Sequence, residues 1–217
     1  NGDIFVVDNI TTDAIPAYNH RFSTQHPLVK NKRQSDHHIV LKRFNSEGEI
    51  LEEKIYVSEH SQFVKGLTIN AQQVIIGTVS RIEKSVNSQY SSEWDIGLLQ
   101  VNSIDMSSQQ LWFDLDKEDI LNGITSTSDG IYLYGHSGGV QVDTNSWVGD
   151  TYGFYAKYNV ENQQLTPTVF KAERSSEINY LVVNDGTLNA VGITNGPLTH
   201  STDITNQGLF VEMALSQ

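Results

Sequence analysis

The amino-acid sequence predicts an all-β fold built from about four similar four-stranded repeats. Three sets of strand-like segments recur along the chain with a period of about 57 residues. No window of about 11 residues combines an apolar stripe of helical spacing with flanking caps, so we predict essentially no helix. Four-stranded units that repeat radially are typical of a β-propeller, whereas solenoid repeats are usually shorter. The sequence therefore predicts a β-propeller of about four repeats, or a segment of a larger propeller.

Each repeat is predicted to contain four strands in a fixed order. The first strand ends in a tight turn such as Asp129-Gly130, since Asp-Gly pairs favour two-residue hairpins. The second strands share a glycine, with Asp8 in its place at the start of the chain: Gly77, Gly135 and Gly192. The third strands end in asparagines that are one period apart: Asn45, Asn102 and Asn159. The fourth strands follow as residues 50–56, 110–113 and 165–170.

These strands divide the chain into four predicted repeats: residues 1–62, 63–118, 119–175 and 176–217. The predicted total of 14 strands is two short of a closed ring of four blades. Both terminal blades are therefore predicted to be incomplete. Because open sheet edges invite partners, we expect a second copy of the chain, in a homodimer, or a flanking parent chain to complete the propeller.

Several segments follow a pattern that occurs in a known repeat family. Residues 129–135 read DGIYLYG, residues 152–159 read YGFYAKYN, and residues 11–16 read TTDAIP. In this order they resemble the hairpin, the third strand and the loop of the bacterial SBBP-type β-propeller repeat. The resemblance covers nearly the whole chain, although its motifs are short and several positions depart from them. It implies a scaffold in a secreted, periplasmic or cell-surface bacterial protein, and it implies no particular reaction.

Composition and charge exclude several functional classes. With 14 basic and 26 acidic residues the net charge is −12, which disfavours nucleic-acid binding and docking on anionic membranes. The chain has no cysteine, so disulfides, thiolate zinc sites and cysteine nucleophiles are excluded. No run of about 18 apolar residues is present, so we predict no membrane insertion.

Three polar segments after the second strands are predicted to be loops on one face of the propeller: residues 80–93, 138–151 and 195–207. Aromatic rings with nearby amide and carboxylate groups suit a carbohydrate or a protein ligand. The candidate ligand-binding residues are Tyr90, Trp94, Trp147, Tyr152, Asp143, Asp150 and Asp203. The aspartates are also candidate Ca²⁺ ligands, although no D-x-D-x-D-G loop occurs. The alternative for each candidate is a structural role, in which the side chain packs on the strands beneath.

Two further groups of titratable residues have competing interpretations. Four histidines lie close together in the sequence and near Asp36: His20, His26, His37 and His38. Imidazole and carboxylate together suit zinc or nickel, but no pair has the helical spacing of a metalloprotease, so a solvated loop is the alternative. The acidic residues between 114 and 119 are predicted to form a solvated strand edge.

Two stretches resemble a chymotrypsin-type serine protease. Residues 93–99 (EWDIGLL) are similar to the segment around that family's aspartate, and residues 134–139 (YGHSGG) are similar to its serine loop. The resemblance implies Ser137 as nucleophile and Asp95 as the residue that orients a histidine. However, the stretch of chain between Asp95 and Ser137 is only about half as long as the corresponding stretch in that family. His60 is a poor substitute for the family's histidine segment, and both stretches are explained by the repeat.

The sequence therefore favours a non-catalytic binding or scaffold module that contacts protein or carbohydrate, with no catalytic residue assigned and no cofactor beyond Ca²⁺. A hydrolase is the alternative, either a propeller glycosidase or lyase or, less favoured, the serine protease with Ser137 and Asp95. A purely structural spacer is the third hypothesis.

Overall fold

The computed structural model describes residues 2–11, 37–58, 60–86, 89–115, 118–128, 130–143, 146–170, 175–184, 186–194 and 207–214. Within these ranges the side chains of residues 82–92, 139–149 and 207 are not described. Every helix-or-strand element in the described part is a β-strand, which confirms the all-β prediction. The described residues contain no helix that is long and apolar enough to cross a membrane.

The fourteen strands that are described form four antiparallel sheets, and the strands of each sheet lie in chain order. Sheet 1 contains β1 (Ile4–Thr11), β2 (His37–Phe44) and β3 (Ile50–Tyr56). Sheet 2 contains β4 (Ser61–Asn70), β5 (Gln73–Val86), β6 (Gln89–Asn102) and β7 (Ser108–Phe113). Sheet 3 contains β8 (Asp119–Thr127), β9 (Gly130–Asp143), β10 (Ser146–Asn159) and β11 (Gln164–Phe170). Sheet 4 contains β12 (Ser176–Asn184), β13 (Thr187–Thr194) and β14 (Gln207–Ala214).

The recurrent asparagines begin the turns that follow β2, β6 and β10. In Asn45, Asn102 and Asn159 the Oδ1 atom accepts the backbone N–H two residues later, at 3.1, 2.8 and 2.9 Å respectively. This hydrogen bond is the Asx turn, which asparagine forms readily because its short side chain reaches its own backbone. The period of asparagines in the sequence is therefore a period of Asx turns.

Two second strands carry a glycine opposite a β-bulge in the neighbouring first strand. The bulged residues are Asn122 in β8 and Asn179 in β12, which are one period apart. A Cβ atom on Gly135 of β9 would lie 3.0 Å from the carbonyl carbon of Ile120 and closer still to its oxygen. A Cβ atom on Gly192 of β13 would meet the equivalent carbonyl carbon in β12 at 2.9 Å. Glycine is required at both positions because the bulged backbone approaches so closely.

The chain divides into two compact units, which are described separately: unit 1 with residues 1–64 and 80–92, and unit 2 with residues 65–79 and 93–217. In unit 1 the buried face of β2 contains Ile39 and Leu41. Asn9 of β1 bridges two backbone groups of β4. Its Nδ2 donates to the carbonyl of Gln62 at 2.6 Å, and its Oδ1 accepts the N–H of Val64 at 2.9 Å.

In unit 2 both faces of sheet 3 are covered. Successive residues of a strand point to opposite faces, so Leu133 and Tyr134 of β9 lie on different sides of the sheet. Leu133 belongs to a buried cluster with Ile75 and Leu98 of sheet 2. Tyr134 belongs to a second cluster with Leu188 of sheet 4. The apolar core of unit 2 therefore lies in two layers, one on each side of sheet 3.

One hydrogen bond recurs where a third strand meets the segment that begins the next sheet. A backbone N–H of the third strand donates to a side-chain oxygen, as in His37 to Ser61 at 3.4 Å, Trp94 to Glu118 at 2.9 Å and Thr151 to Ser175 at 3.1 Å. Successive donors are one period apart in the sequence, and so are successive acceptors. The period in the sequence therefore also includes the bonds that fasten consecutive sheets.

Candidate functional site

Two of the three predicted loops are β-hairpins. Strands β5 and β6 include residues 80–86 and 89–93, and strands β9 and β10 include residues 138–143 and 146–151. The loop prediction was wrong for these segments, because valine, isoleucine and aromatic residues are interspersed with their serine and threonine residues and favour paired strands. Most of the third predicted loop, residues 195–206, lies outside the described residues.

The candidate ligand-binding residues lie on or beside these hairpins. Trp94 is half-buried and packs against the apolar cluster between sheets 2 and 3. Tyr152 is half-buried and lies opposite Ser137 in the β9–β10 ladder, whereas Asp150 is exposed. The remaining candidates have side chains outside the described part of the chain: Tyr90, Asp143, Trp147 and Asp203.

The two histidines of the metal hypothesis that the structure describes lie on β2. The ring of His37 packs on Phe63, with 4.6 Å between centroids. His38 is buried, and its Nδ1 accepts the backbone N–H of Ser58 at 3.5 Å. Adjacent residues of a strand point to opposite faces, so the two imidazoles do not converge on one ion. The other two members, His20 and His26, lie outside the described residues.

The structure places Ser137 and Asp95 near a common acidic residue. Asp119 is the direct cross-strand neighbour of Ser137, and a carboxylate oxygen of Asp95 lies within 4.8 Å of one of Asp119. His136 precedes Ser137 in β9, so its imidazole points to the opposite face of the sheet. Ser137 and Asp95 are both buried. The cross-strand neighbours of Ser137 are therefore Asp119 and Tyr152, and neither supplies the imidazole base of a catalytic triad.

Asp95, Asp114 and Asp119 form a three-carboxylate group, in which one oxygen of each residue lies within 4.8 Å of the others. Asp95 and Asp119 are buried and Asp114 is exposed. Asp119 Oδ2 accepts the backbone N–H of Leu115 at 2.6 Å. Hard cations such as Ca²⁺ prefer carboxylate oxygens, so these are the described residues that could hold one.

The prediction of a solvated acidic edge was wrong for Glu118 and Asp119. Both side chains are buried, and each accepts a backbone N–H group. Charge-assisted hydrogen bonds of this kind offset part of the cost of burying a carboxylate. Glu118 therefore fastens the segment before β8 to β6 of sheet 2, and Asp119 holds the connection between β7 and β8.

A second polar group forms where the first strands β8 and β12 meet. Asn122 Nδ2 donates to the carbonyl of Ile178 at 2.9 Å and to Asn179 Oδ1 at 3.2 Å. On the adjoining strand β9, His136 Nδ1 lies 3.6 Å from Glu177 Oε2. The two bulges place the amides of Asn122 and Asn179 together, because a bulge re-aims the side chain of its extra residue.

Lys65 belongs with this group by its place in the repeat. It lies on β4, one period before Asn122, and it is exposed. Strands β4 and β8 are joined by a hydrogen bond from Thr68 Oγ1 to Ser126 Oγ at 2.6 Å. We call the following five residues the junction group: Lys65, Asn122, His136, Glu177 and Asn179.

The electrostatics of the junction group centre on His136. Burial lowers the pKa of its imidazole, the nearby carboxylate of Glu177 opposes this by raising the pKa, and Lys65 lowers it again. The imidazole is therefore neutral at neutral pH and can both donate and accept a hydrogen bond. Together with two amides, an amine and a carboxylate, it can bind hydroxyl or peptide groups.

Sequence reasoning did not select the junction group, although a signal was present. Lys65, Asn122 and Asn179 occupy matching positions in the aligned first strands. Alignment alone does not show that Asn122 and Asn179 are bulged. It also does not show that His136, from the second strand β9, lies beside them. Comparison of the chain with protein-family models gives no match, and comparison with curated proteins gives none either.

Proposed function

We propose that the chain is a non-catalytic binding module of β-propeller type that contacts a carbohydrate or a protein. The observation that supports this proposal best is the junction group, in which polar side chains from neighbouring first strands lie side by side. Sites with several hydrogen-bonding groups on rigid strands suit recognition, since their geometry is set before the ligand arrives. The resemblance to SBBP-type repeats adds the expectation of an exported or surface protein of a bacterium.

The propeller part of the proposal is supported by unit 2. Its sheets are meanders that pack face to face, and their first strands are joined by hydrogen bonds such as Thr68 to Ser126 and Asn122 to Ile178. In a β-propeller, four-stranded blades surround a central channel. In the proposed arrangement the first strands line this channel, so the junction group is a channel site.

Carbohydrate is the ligand that this chemistry fits best. Sugar hydroxyls donate and accept hydrogen bonds, and so do the amides of Asn122 and Asn179 and the neutral imidazole of His136. The net charge of −12 disfavours an acidic ligand, because its approach would be repelled. Asp150 and Tyr152 of the β9–β10 hairpin remain candidate contacts for a larger ligand.

The test is a glycan array followed by titration of the hits against the whole chain. A ligand at about 100 times its dissociation constant stabilises a folded chain by about 2.7 kcal/mol, which corresponds to a rise of roughly 5–10 °C in the melting temperature. Asn179→Ala and Lys65→Ala should each raise the dissociation constant about tenfold or more, and Lys157→Ala, an exposed lysine of sheet 3, should not. Hits that bind all three variants equally would contradict the assignment of the site. A peptide library that gives hits where the glycans fail would replace carbohydrate by protein, and failure of both would leave the structural spacer.

The carboxylate pair of Asp95 and Asp119 favours a hydrolase as the second candidate function. Retaining glycosidases use two carboxyl groups about 5 Å apart, and one carboxylate oxygen of Asp95 lies within 4.8 Å of one of Asp119. Both side chains are buried, which favours a structural role over contact with a sugar. Turnover of a panel of chromogenic glycosides that disappears in Asp119→Asn would support the hydrolase. Labelling of Ser137 by a fluorophosphonate, absent in Ser137→Ala, would support the serine protease instead.

A further inference from the structure

Sheet 4 has one covered face and one open face. Leu188 of β13 points to the covered face and is fully buried in the cluster with sheet 3. Val191 and Ile193 lie on the opposite face of the same strand and are 44% and 41% exposed. Val191 is the direct cross-strand neighbour of Tyr180 and Phe210, which are 57% and 64% exposed. The open face therefore presents an apolar row on β13 and β14, and the Tyr180 ring at its edge lies 6.5 Å from the Tyr134 ring of sheet 3.

The equivalent face of sheet 3 is covered. Tyr134 lies one period before Val191, and it is only 8% exposed because it packs in the cluster with sheet 4. Its cross-strand neighbour Tyr155 stands where Phe210 stands beside Val191, and it packs against the same cluster. The same face of the repeat is thus buried by the following sheet in sheet 3 and open in sheet 4.

Sheet 1 presents the other half of such a contact. Counted from the position of the shared glycine, Ile4 and Val6 of β1 stand where Leu188 and Ala190 stand in β13. Leu188 and Ala190 are fully buried, and they belong to the cluster by which sheet 4 covers sheet 3. Ile4 and Val6 are 51% and 46% exposed, and Ile4 is in one cross-strand row with Ile50, which is 57% exposed.

We propose that the open face of sheet 4 binds the open face of sheet 1 of a second copy, so that chains associate head to tail. The contact continues the sheet-on-sheet packing already present between sheets 3 and 4, with the same repeat positions on each side. Exposed apolar rows of this extent are typical of protein interfaces and not of isolated surfaces. The interface is heterologous, so repetition yields a closed ring or an open chain of copies. The proposal is independent of the ligand of the junction group.

The experiment measures the mass of the whole chain by light scattering over a range of concentrations. Phe210→Glu alters the open face of sheet 4, and Val6→Lys alters the open face of sheet 1. Ile104→Lys is the matched control, because Ile104 is also 64% exposed but lies in the turn between β6 and β7. The native chain and the control should rise from 24.2 kDa towards multiples of that mass as the concentration increases to about 100 μM. Each face variant should stay at 24.2 kDa, since a buried charge in the contact raises the dissociation constant at least tenfold.

An equimolar mixture of the two face variants provides the decisive result. Each variant keeps one native face, so the mixture should form a dimer of twice 24.2 kDa and no larger species. A native chain that stays monomeric throughout would overturn the proposal. So would association of Val6→Lys by itself, which would indicate that two copies of sheet 4 pair with each other. If either variant fails to fold by circular dichroism, Val191→Asp and Ile50→Lys test the same two faces.

Discussion

Gly135→Ala tests whether the second-strand glycines are required by the neighbouring bulges. Gly135 lies opposite the bulge at Asn122, and the added methyl group would point at the backbone of β8. The perturbation is a single methyl group, so any large effect must come from the space available to it.

The expected magnitude follows from the distances. The new Cβ would lie 3.0 Å from the carbonyl carbon of Ile120 and 3.1 Å from the backbone nitrogen of Asn122. Comfortable contact between such atoms needs about 3.5 Å. Both obstacles are backbone atoms of a paired strand, so no side-chain rotation can relieve the clash. Overpacking in a well-packed site costs about 1–3 kcal/mol, and we expect Gly135→Ala to reach at least the upper end of that range.

The assay is urea denaturation followed by circular dichroism, with Gly208→Ala as the matched control. A Cβ on Gly208 has no atom within 4 Å, so that variant should change the free energy of unfolding by no more than about 0.5 kcal/mol. Gly192→Ala should behave like Gly135→Ala, because its Cβ meets the equivalent carbonyl. A loss below about 1 kcal/mol for Gly135→Ala, or a loss equal to that of the control, would show that the bulge at Asn122 does not require a glycine opposite it.

Three further predictions concern His136, Tyr158 and the three-carboxylate group. Because burial lowers the pKa of His136, the unfolded chain binds a proton more tightly than the folded chain. The free energy of unfolding should therefore fall as the pH drops below about 6.5. His136→Gln should reduce this loss in thermal melts recorded at a series of pH values. Identical pH profiles for the native chain and the variant would show that His136 is not the cause. Tyr158→Phe removes the hydroxyl that accepts a 2.5 Å hydrogen bond from Gln100 Nε2. It should lower the free energy of unfolding by about 1–3 kcal/mol in urea denaturation, and adding Gln100→Met should recover part of this loss. An unchanged urea midpoint would show that the bond is dispensable. Asp114→Asn removes one like charge from the three-carboxylate group. It should raise the melting temperature slightly in EDTA at low salt, and about 1 M salt should abolish this gain by screening the charges. A lower melting temperature in the variant would indicate that another partner neutralises the carboxylates.

The strand content and the turn positions could be predicted from the sequence because their causes are local. An Asx turn depends on an asparagine and the two residues after it, so Asn45, Asn102 and Asn159 identify their turns without any tertiary contact. The recurring glycines of the second strands were also visible in the sequence, but the bulges that require them were not. Asp8 occupies the glycine place in β1, and the structure explains this exception, since β2 is the only described strand that pairs with β1 and it has no bulge opposite Asp8.

The functional surfaces depended on contacts between residues that are far apart in the chain. The acidic segment at 114–119 looked solvated, yet Asp119 is buried because β8 begins beside β6 and its carboxylate accepts a backbone N–H. Local composition likewise favoured loops at 80–93 and 138–151, where strand pairing produced hairpins.

The all-β content and the constant period of the elements follow from the sequence alone, because hydrophobic alternation and turn chemistry act within a few positions. Which recurring positions meet, such as Asn122 with Asn179, and which stay exposed, such as Val191, is visible only in the folded chain. These outcomes depend on bulges and on how sheets pack, and both join residues that no local pattern connects.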